Sequence, residues 1–451
     1  MRVALLLLAL QFGQQPNPFL GGVPSGTASA APISLSIGDA IDRALEHNLG
    51  VLTSEQAADH ARGARWMALG ELLPNINGRL SETREMINLA VFGFPLPPGV
   101  PSLVGPLNVF DARIFVTQSI FDLNQINGAR AAAHDVSAAR YSYKSARDLV
   151  VLVAANLYLQ ALASSARSDS ARAQMDTAQA LYNQAVDLRQ GGLVAGIDVL
   201  RAQVQFNTEQ QHATATANDF EKAKLQLARV IGLPVGQTFT LTDQVPYAPV
   251  PEMTLEQALD RAYKTRPDYQ AALERVRAAE ASRAAALATA LPSVHVTADF
   301  GDLGLTPGDA RGTFAVTGAV NVPIFQGGRT RGRLLEADAD LRTRRAEADD
   351  MKAGVYYDVR TAFLDLQATG QQLDVAAKTR DLAAAQLTQA RDRFAAGVTS
   401  NIEVVQAQSA VALANEQYIG GLYGYNVSKA SLARALGVAE EAVRQYLGGS
   451  R

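Results

Sequence analysis

Gly192-Leu193-Val194-Ala195-Gly196-Ile197-Asp198-Val199-Leu200-Arg201-Ala202-Gln203 and Gly397-Val398-Thr399-Ser400-Asn401-Ile402-Glu403-Val404-Val405-Gln406-Ala407-Gln408 are two editions of one turn. Each follows a long helical pattern and opens another. Gly192 and Gly397 stand where a helix C-terminus favours a residue free to take positive φ, and an acid follows six positions later in the first turn of the next helix. Both stretches are therefore expected to be tips of helical hairpins.

The same offset of 205 residues pairs Tyr158 with Phe363, Gln184 with Gln389 and Arg229 with Arg434. Nearer the start the offset is 218, which aligns Ala40-Ile41-Asp42-Arg43-Ala44 with Ala258-Leu259-Asp260-Arg261-Ala262, and Leu73-Pro74 with Leu291-Pro292. The chain is a duplication, and a duplication sets the architecture before any single motif does. Its parts are a leader over residues 1–30, a first repeat over 31–232, a proline-rich connector over 233–252, a second repeat over 253–437 and a tail over 438–451.

The leader reading rests on Arg2, the apolar run Val3 to Leu10 and the small-x-small triplet Ala28-Ser29-Ala30, the pattern of an export signal. With 41 basic against 44 acidic residues the net charge is −3, so there is no basic field to hold nucleic acid. The absence of cysteine excludes disulfides, thiolate metal sites and a lipidated N-terminal cysteine, and with only 6 methionines it argues against a soft-metal route. The five histidines form no paired metal motif, and Glu336, Asp338 and Asp340 lack partners of metal-ligand type. No Walker loop, G-x-S-x-G or H-E-x-x-H is present, so neither an enzyme nor a cofactor is expected.

Each repeat opens with a capped helix, Ser36 with Asp39 in the first, and is interrupted at Pro74 or Pro292. Two strands follow. In the second repeat they are plain: Val294, Val296, Ala298 and Phe300 alternate with His295, Thr297 and Asp299, and Phe314, Val316, Val320, Val322 and Ile324 alternate with Thr313, Thr317 and Asn321. Period-two alternation is the strand signal and also the apolar-out, polar-in pattern of a membrane barrel wall. In the first repeat it is weaker, over 75–83 and 112–121, around a loop carrying Pro95, Pro97, Pro98, Pro101 and Pro106.

Residues 123–190 and 329–395 then run without proline as helices that would reach about 100 Å at 1.5 Å per residue. The helices returning from the tips carry a seven-residue seam, Val199, Phe206, Ala213, Phe220 and Leu227 in one and Val404, Val411, Tyr418, Tyr425 and Leu432 in the other. Beside the second seam, Ala407, Ala414, Gly421, Ser428 and Ala435 are all small, which suits closely approaching, left-handed supercoiled helices. Glu209 and Thr216 interrupt the equivalent row in the first repeat. The fold class is thus mainly α, long helical hairpins with two pairs of β-strands.

Four strands in a bilayer leave two open edges whose N–H and C=O groups hydrocarbon cannot satisfy. Copies of the chain must pool strands, two giving eight and three giving twelve.

The duplicated openings Leu35-Ser36-Ile37-Gly38-Asp39-Ala40 and Met253-Thr254-Leu255-Glu256-Gln257-Ala258, the triplet Arg266-Pro267-Asp268, the corner Pro323-Ile324-Phe325-Gln326-Gly327-Gly328 and both tips resemble the TolC-type outer-membrane efflux channels. The likeness covers the chain after residue 34; in the first repeat Ser119 and Leu123-Asn124 replace Pro323 and Gly327-Gly328. It implies a homotrimer with a twelve-stranded barrel among outer-membrane lipid and a helical tunnel across the periplasm, docked on a periplasmic adaptor and an inner-membrane pump or ABC exporter, in tripartite efflux or type I secretion. By the same resemblance Asp198 and Glu403 close the periplasmic aperture, and Gly192, Leu193, Val194, Gly397, Val398 and Thr399 belong to the adaptor-docking surface. Acids in a helix's first turn also favour its dipole, and Ser400-x-x-Glu403 is a capping box, so each acid has a purely local reading as well. The contrasting expectation is a periplasmic scaffold or adaptor that uses its hairpins for interaction alone.

Overall fold

A computed structural model describes residues 17–93, 99, 101–192, 194–243, 253–396, 398–399 and 401–447. Leu193, Gly397, Ser400, the first sixteen residues of the expected leader, Pro95, Pro97, Pro98 and residues 244–252 of the connector lie outside the described residues.

In chain order the elements are β1 (Ile33–Leu35), α1 (Ile37–His47), α2 (Leu49–Gly70), β2 (Asn75–Asn88), β3 (Leu103–Phe121), α3 (Leu123–Gln190), α4 (Gly196–Val230), β4 (Phe239–Leu241), α5 (Leu255–Thr265), α6 (Pro267–Ala288), β5 (Ser293–Gly304), β6 (Arg311–Asn321), α7 (Arg329–Ala395), α8 (Asn401–Ala435) and α9 (Ala439–Leu447). The duplication is visible in the lengths: 11 and 11 residues for α1 and α5, 22 and 22 for α2 and α6, 68 and 67 for α3 and α7, and 35 for both α4 and α8. The chain divides into two compact units, one built from residues up to Gln56, Arg140–Gln270 and Asp350 onward, the other from Ala57–Ala139 and Ala271–Asp349.

The second unit holds a four-stranded antiparallel sheet in the order β2-β3-β5-β6, with β2 and β6 as its edges. Its rungs sort the side chains cleanly. Ile76, Val116, Ala298 and Val316 share one rung and Gly78, Ile114, Phe300 and Phe314 another on the same face; Asn75, Thr117, Thr297 and Thr317 share a rung on the opposite face. Phe300, Phe314 and Val316 are exposed on the apolar face.

The first strand pair is longer than its sequence suggests, because Pro106 lies inside β3. The ladder slips between Glu85 and Ile87, so Gly105 and Pro106 fall in a bulge where the missing proline N–H breaks no rung. Conversely β6 stops at Asn321, leaving Val322 and Ile324 beyond it: Pro323 cannot donate to a ladder. Where Gly327 and Gly328 turn the second corner with positive φ, the first corner uses Asp122, whose carboxylate accepts from the amides of Asn124 (2.8 Å) and Gln125 (3.3 Å) to start α3.

In the first unit, capping boxes start both opening helices, Ser36 with Asp39 and Thr254 with Gln257. Each opening helix then breaks at an equivalent position by different chemistry. Asn48, fully buried, replaces backbone bonds by accepting from Gly50 N (2.8 Å) and donating to Phe19 O (3.0 Å). At the equivalent joint Arg266 precedes Pro267 and spans two carboxylates, Asp268 (3.0 and 2.5 Å) and Asp358 (2.7 Å). Burial raises the Asp268 carboxyl, but the hydrogen bonds and charge of Arg266 outweigh it and hold Asp268 below the ordinary range. Nearby Asp148 is pushed up by burial.

The returning helices end at Gly232 and Gly437, both at positive φ and both against backbone or side-chain atoms that leave no room for a Cβ. Their seams are buried at Val199, Leu227, Val404, Tyr425 and Leu432. The helices they face carry a heptad row absent from the sequence reading: Val136, Val150, Ala171, Ala178 and Ala185 in α3, and Leu341, Ala348, Val355, Ala362, Ala376, Ala383 and Ala390 in α7, are all buried. Lys429 is buried over the Tyr425 ring (5.5 Å), and that burial lowers its ammonium to about 8.

The stretch from Asn17 and the C-terminal stretch both pack on this core. Phe19 packs against it, Val23 N donates to His47 O (2.8 Å), Leu49 N to Gly21 O (3.0 Å), Ser25 N to Gly232 O (3.1 Å) and Ser29 N to Gln237 Oε1 (2.7 Å). Residues 17–31 thus form a strap across the joint at Asn48. The expected tail is largely helix α9, whose Ala439, Ala442 and Val443 join the main cluster while Glu440 takes both oxygens to Arg147 (2.6 and 3.0 Å).

Candidate functional site at the helical tips

The first tip forms because α3 ends in Gly191 and Gly192, whose amides return to Asp187 O (3.0 Å) and Arg189 O (2.9 Å), with Gly192 at φ +73°. Helix α4 begins at Gly196, and its N-cap, Ala195, supplies no side-chain hydrogen bond. Asp198 is then the only acid in the first turn, so it complements the exposed amide dipoles. Its carboxylate lies 3.4 Å from Arg201 one turn on. Tyr182 stacks on Phe206 (centroids 6.3 Å apart, planes at 6°), and Ala185, Val199 and Ala202 seal the hairpin behind it.

At the second tip Val398 N closes on Arg393 O (2.9 Å), and α8 starts at Asn401. Glu403 is held more firmly than Asp198. One oxygen meets Arg393 across the turn (2.7 Å) and the other accepts from the Thr399 hydroxyl. The structure therefore brings together Thr399 and Glu403 of the expected residues and adds Arg393, ten positions away. Ser400, the expected capping partner, lies outside the described residues. Val404 and Ala407 are fully buried against Leu387, Ala390 and Phe394, and Leu181 of the first hairpin packs on the same cluster.

Of the docking residues within the description, Val398 is 70% exposed and Val194 half-buried. Beside the tips Ile197, Leu200 and Val204 of α4 face Ile402 and Val405 of α8 across an apolar cleft of ≈ 350 Å³. The sequence carries a signal for it, since Ile197, Leu200 and Val204 recur at helical spacing off the seam. Among the described residues no group of three or more His, Asp or Glu side chains could hold a metal. Asp338 is taken by Arg283 (2.5 Å), and Glu336 and Asp340 line a polar cleft in the second unit with Arg275, Arg333 and Arg344. Where Glu209 interrupts the small row, a cleft of ≈ 320 Å³ opens between the hairpins.

Comparison with known proteins agrees with this architecture. The model of a family described as outer membrane efflux protein matches residues 40–233 and 258–438, once per repeat. The chain is 23% identical over 403 residues to the toluene efflux pump outer membrane protein TtgF of Pseudomonas putida, covering 88% of this chain and 82% of that one. It is 20% identical over 354 residues to the outer membrane protein TolC of Escherichia coli, covering 74% and 70%. Its fold matches the outer membrane channel CmeC of Campylobacter jejuni with a TM-score of 0.76 at 16% identity, over 94% of this chain and 92% of that one.

Proposed function

Since the chain belongs to the outer membrane efflux protein family, we propose that three copies pool their strands into one twelve-stranded barrel and act as the outer-membrane duct of a tripartite efflux or type I secretion system. The observation that carries this reading is the sheet. One face is predominantly apolar from Val294 and Val320 up to Leu80, with Gln118 its polar member inside that span and Asp302 marking its upper limit; these eight or nine rungs rise roughly 20 Å when strands tilt by about 45°, close to the hydrocarbon band of a membrane barrel. Both edges, β2 and β6, are open, and pairing β6 of one copy with β2 of the next satisfies them. A periplasmic scaffold has no use for such a sheet.

The tips are the periplasmic end of the duct. Asp198 and Glu403 form its gate: carboxylates gathered around a narrow aperture repel one another, so closure depends on basic partners, which Arg201 and Arg393 supply within each chain. Gly192, Leu193, Val194, Gly397, Val398 and Thr399 present the hairpin ends to a periplasmic adaptor, which links the duct to an inner-membrane pump or ABC exporter. Selectivity for drug, metal ion or protein then resides mainly in those partners.

Planar-bilayer conductance of the purified protein, with Asp198→Ala, Glu403→Ala and the double variant, tests both parts. A small wild-type conductance that rises sharply in the variants supports duct and gate. A wild-type pore indifferent to the changes reduces the acids to helix-capping groups. No conductance from correctly folded protein removes the duct and favours the scaffold.

A further inference from the structure

The polar face of the sheet carries a cation that the duct reading leaves unused. Arg79 of β2 and Arg113 of β3 are directly opposite one another, with Gly301 and Thr313 completing their rung. Like charges on facing strands repel unless they are compensated. Arg113 is compensated twice, by Asp111 (2.8 Å) and by Asp299 (2.9 Å), and the side-chain-free Gly301 beside it leaves space for the guanidinium. Arg79 is exposed, and among the described residues it has no ion pair. Its neighbours two positions away on β2 are Asn77 and Ser81, and Glu85 on the same face lies about 20 Å up the strand at 3.4 Å per residue.

Assembly does not supply the missing carboxylate. The free edge of β2 faces β6 of the next copy, and β6 (Arg311–Asn321) contains no Asp or Glu at all. Whatever the register between copies, the strand laid beside Arg79 is neutral or basic. Over the rungs from Asn75 to Ser81 the polar face carries Arg79, Arg113 and Arg311 against Asp111 and Asp299, an excess of positive charge.

We propose that Arg79 is a selectivity residue of the barrel, a threefold set of uncompensated guanidinium groups facing the lumen that concentrates small anions such as chloride, phosphate and carboxylates. The proposal rests on the duct reading, because only closure of the sheet turns its polar face into a lumen. A water-filled bore with low-dielectric walls focuses such a field, and counter-ions accumulate where like charge is not cancelled.

The test is the reversal potential of the wild type, Arg79→Gln and Arg79→Glu in planar bilayers under a potassium chloride gradient at low ionic strength. The tip is common to all three, so its contribution cancels in the comparison. The chloride-to-potassium permeability ratio is expected to fall roughly threefold or more in Arg79→Gln and further in Arg79→Glu, and the differences to vanish near 1 M salt. Arg79 is exposed, so both variants should keep the heat-modifiable migration of the wild type. If only Arg79→Glu misfolds, Arg79→Gln carries the test. Conducting pores with an unchanged ratio overturn this inference and leave the duct standing; no conductance in any of the three overturns the duct reading and this inference with it.

Discussion

Replacing Arg266 by alanine tests whether the joint between α5 and α6 is held by a buried ion pair or merely by packing around Pro267. The guanidinium is 5% exposed and its bidentate partner Asp268 is mostly buried, whereas the second partner, Asp358, is more than half exposed. Removing one side of a buried pair leaves an uncompensated charge and costs about 3–5 kcal/mol. Here the lower end applies, because Arg434 stands 3.9 Å from Asp268 and the Tyr269 amide still donates to it (2.9 Å). Asp358→Ala removes only a solvent-screened contact, worth about 0.5 kcal/mol. The assay is the thermal unfolding midpoint of the purified protein in detergent, with a drop of about 3 °C expected for Arg266→Ala and about 1 °C or less for Asp358→Ala. The pH dependence has a definite sign. Asp268 has a folded value below its unfolded one, so its stabilisation is complete above about pH 4 and is lost as pH falls through the folded value. The gap between wild type and Arg266→Ala must therefore narrow in acid. Equal effects of the two substitutions, or a gap that widens below pH 4, would refute the reasoning.

Three further outcomes are expected. Lys429 binds its proton less tightly in the folded chain, at about 8 against 10.5, so stability should rise with pH across that window by up to about 1.4 kcal/mol per unit, and Lys429→Met should flatten the rise. At the second tip Arg393→Gln and Glu403→Gln both remove one exposed pair worth about 0.5 kcal/mol, so equal conductance changes would mean a local latch, while a larger change for Glu403→Gln would mean that the carboxylate itself sets the aperture. N-terminal sequencing of the protein extracted from outer membranes should find a start at or before Asn17, since loss of residues 17–30 would remove Phe19 from the core and strip Asn48 of a partner; a start at Ala31 would show that the strap is dispensable.

Periodicity made the long hairpins legible. Two proline-free stretches of nearly seventy residues, each followed by a glycine turn, admit few other conformations, and the second strand pair alternates without interruption. What stayed hidden depends on contacts between positions far apart in sequence. Asn48 looks like one polar residue on a helical face until Phe19 and Gly50 use its amide. The Arg393 to Glu403 pair spans a turn whose closure brings the two side chains together, and Pro106 reads as loop because a bulge is invisible until both strands are in register. The heptad row of α3 and α7 is written largely in alanine, which carries little hydrophobic contrast against its neighbours.

The two edge strands are unequal, and the inequality fixes where the membrane must stop. β2 offers fourteen residues and β6 only eleven, so in a closed barrel at least three backbone positions of each β2 find no rung on the adjoining copy. Each unpaired amide or carbonyl would cost several kcal/mol in hydrocarbon. The surplus must project into water, at the end of β2 where Glu82, Arg84 and Glu85 already make the strand hydrophilic. In a barrel closed by pooled strands, as proposed above, the outer rim would therefore be notched, tall at every β2-β3 hairpin and low at every β5-β6 hairpin.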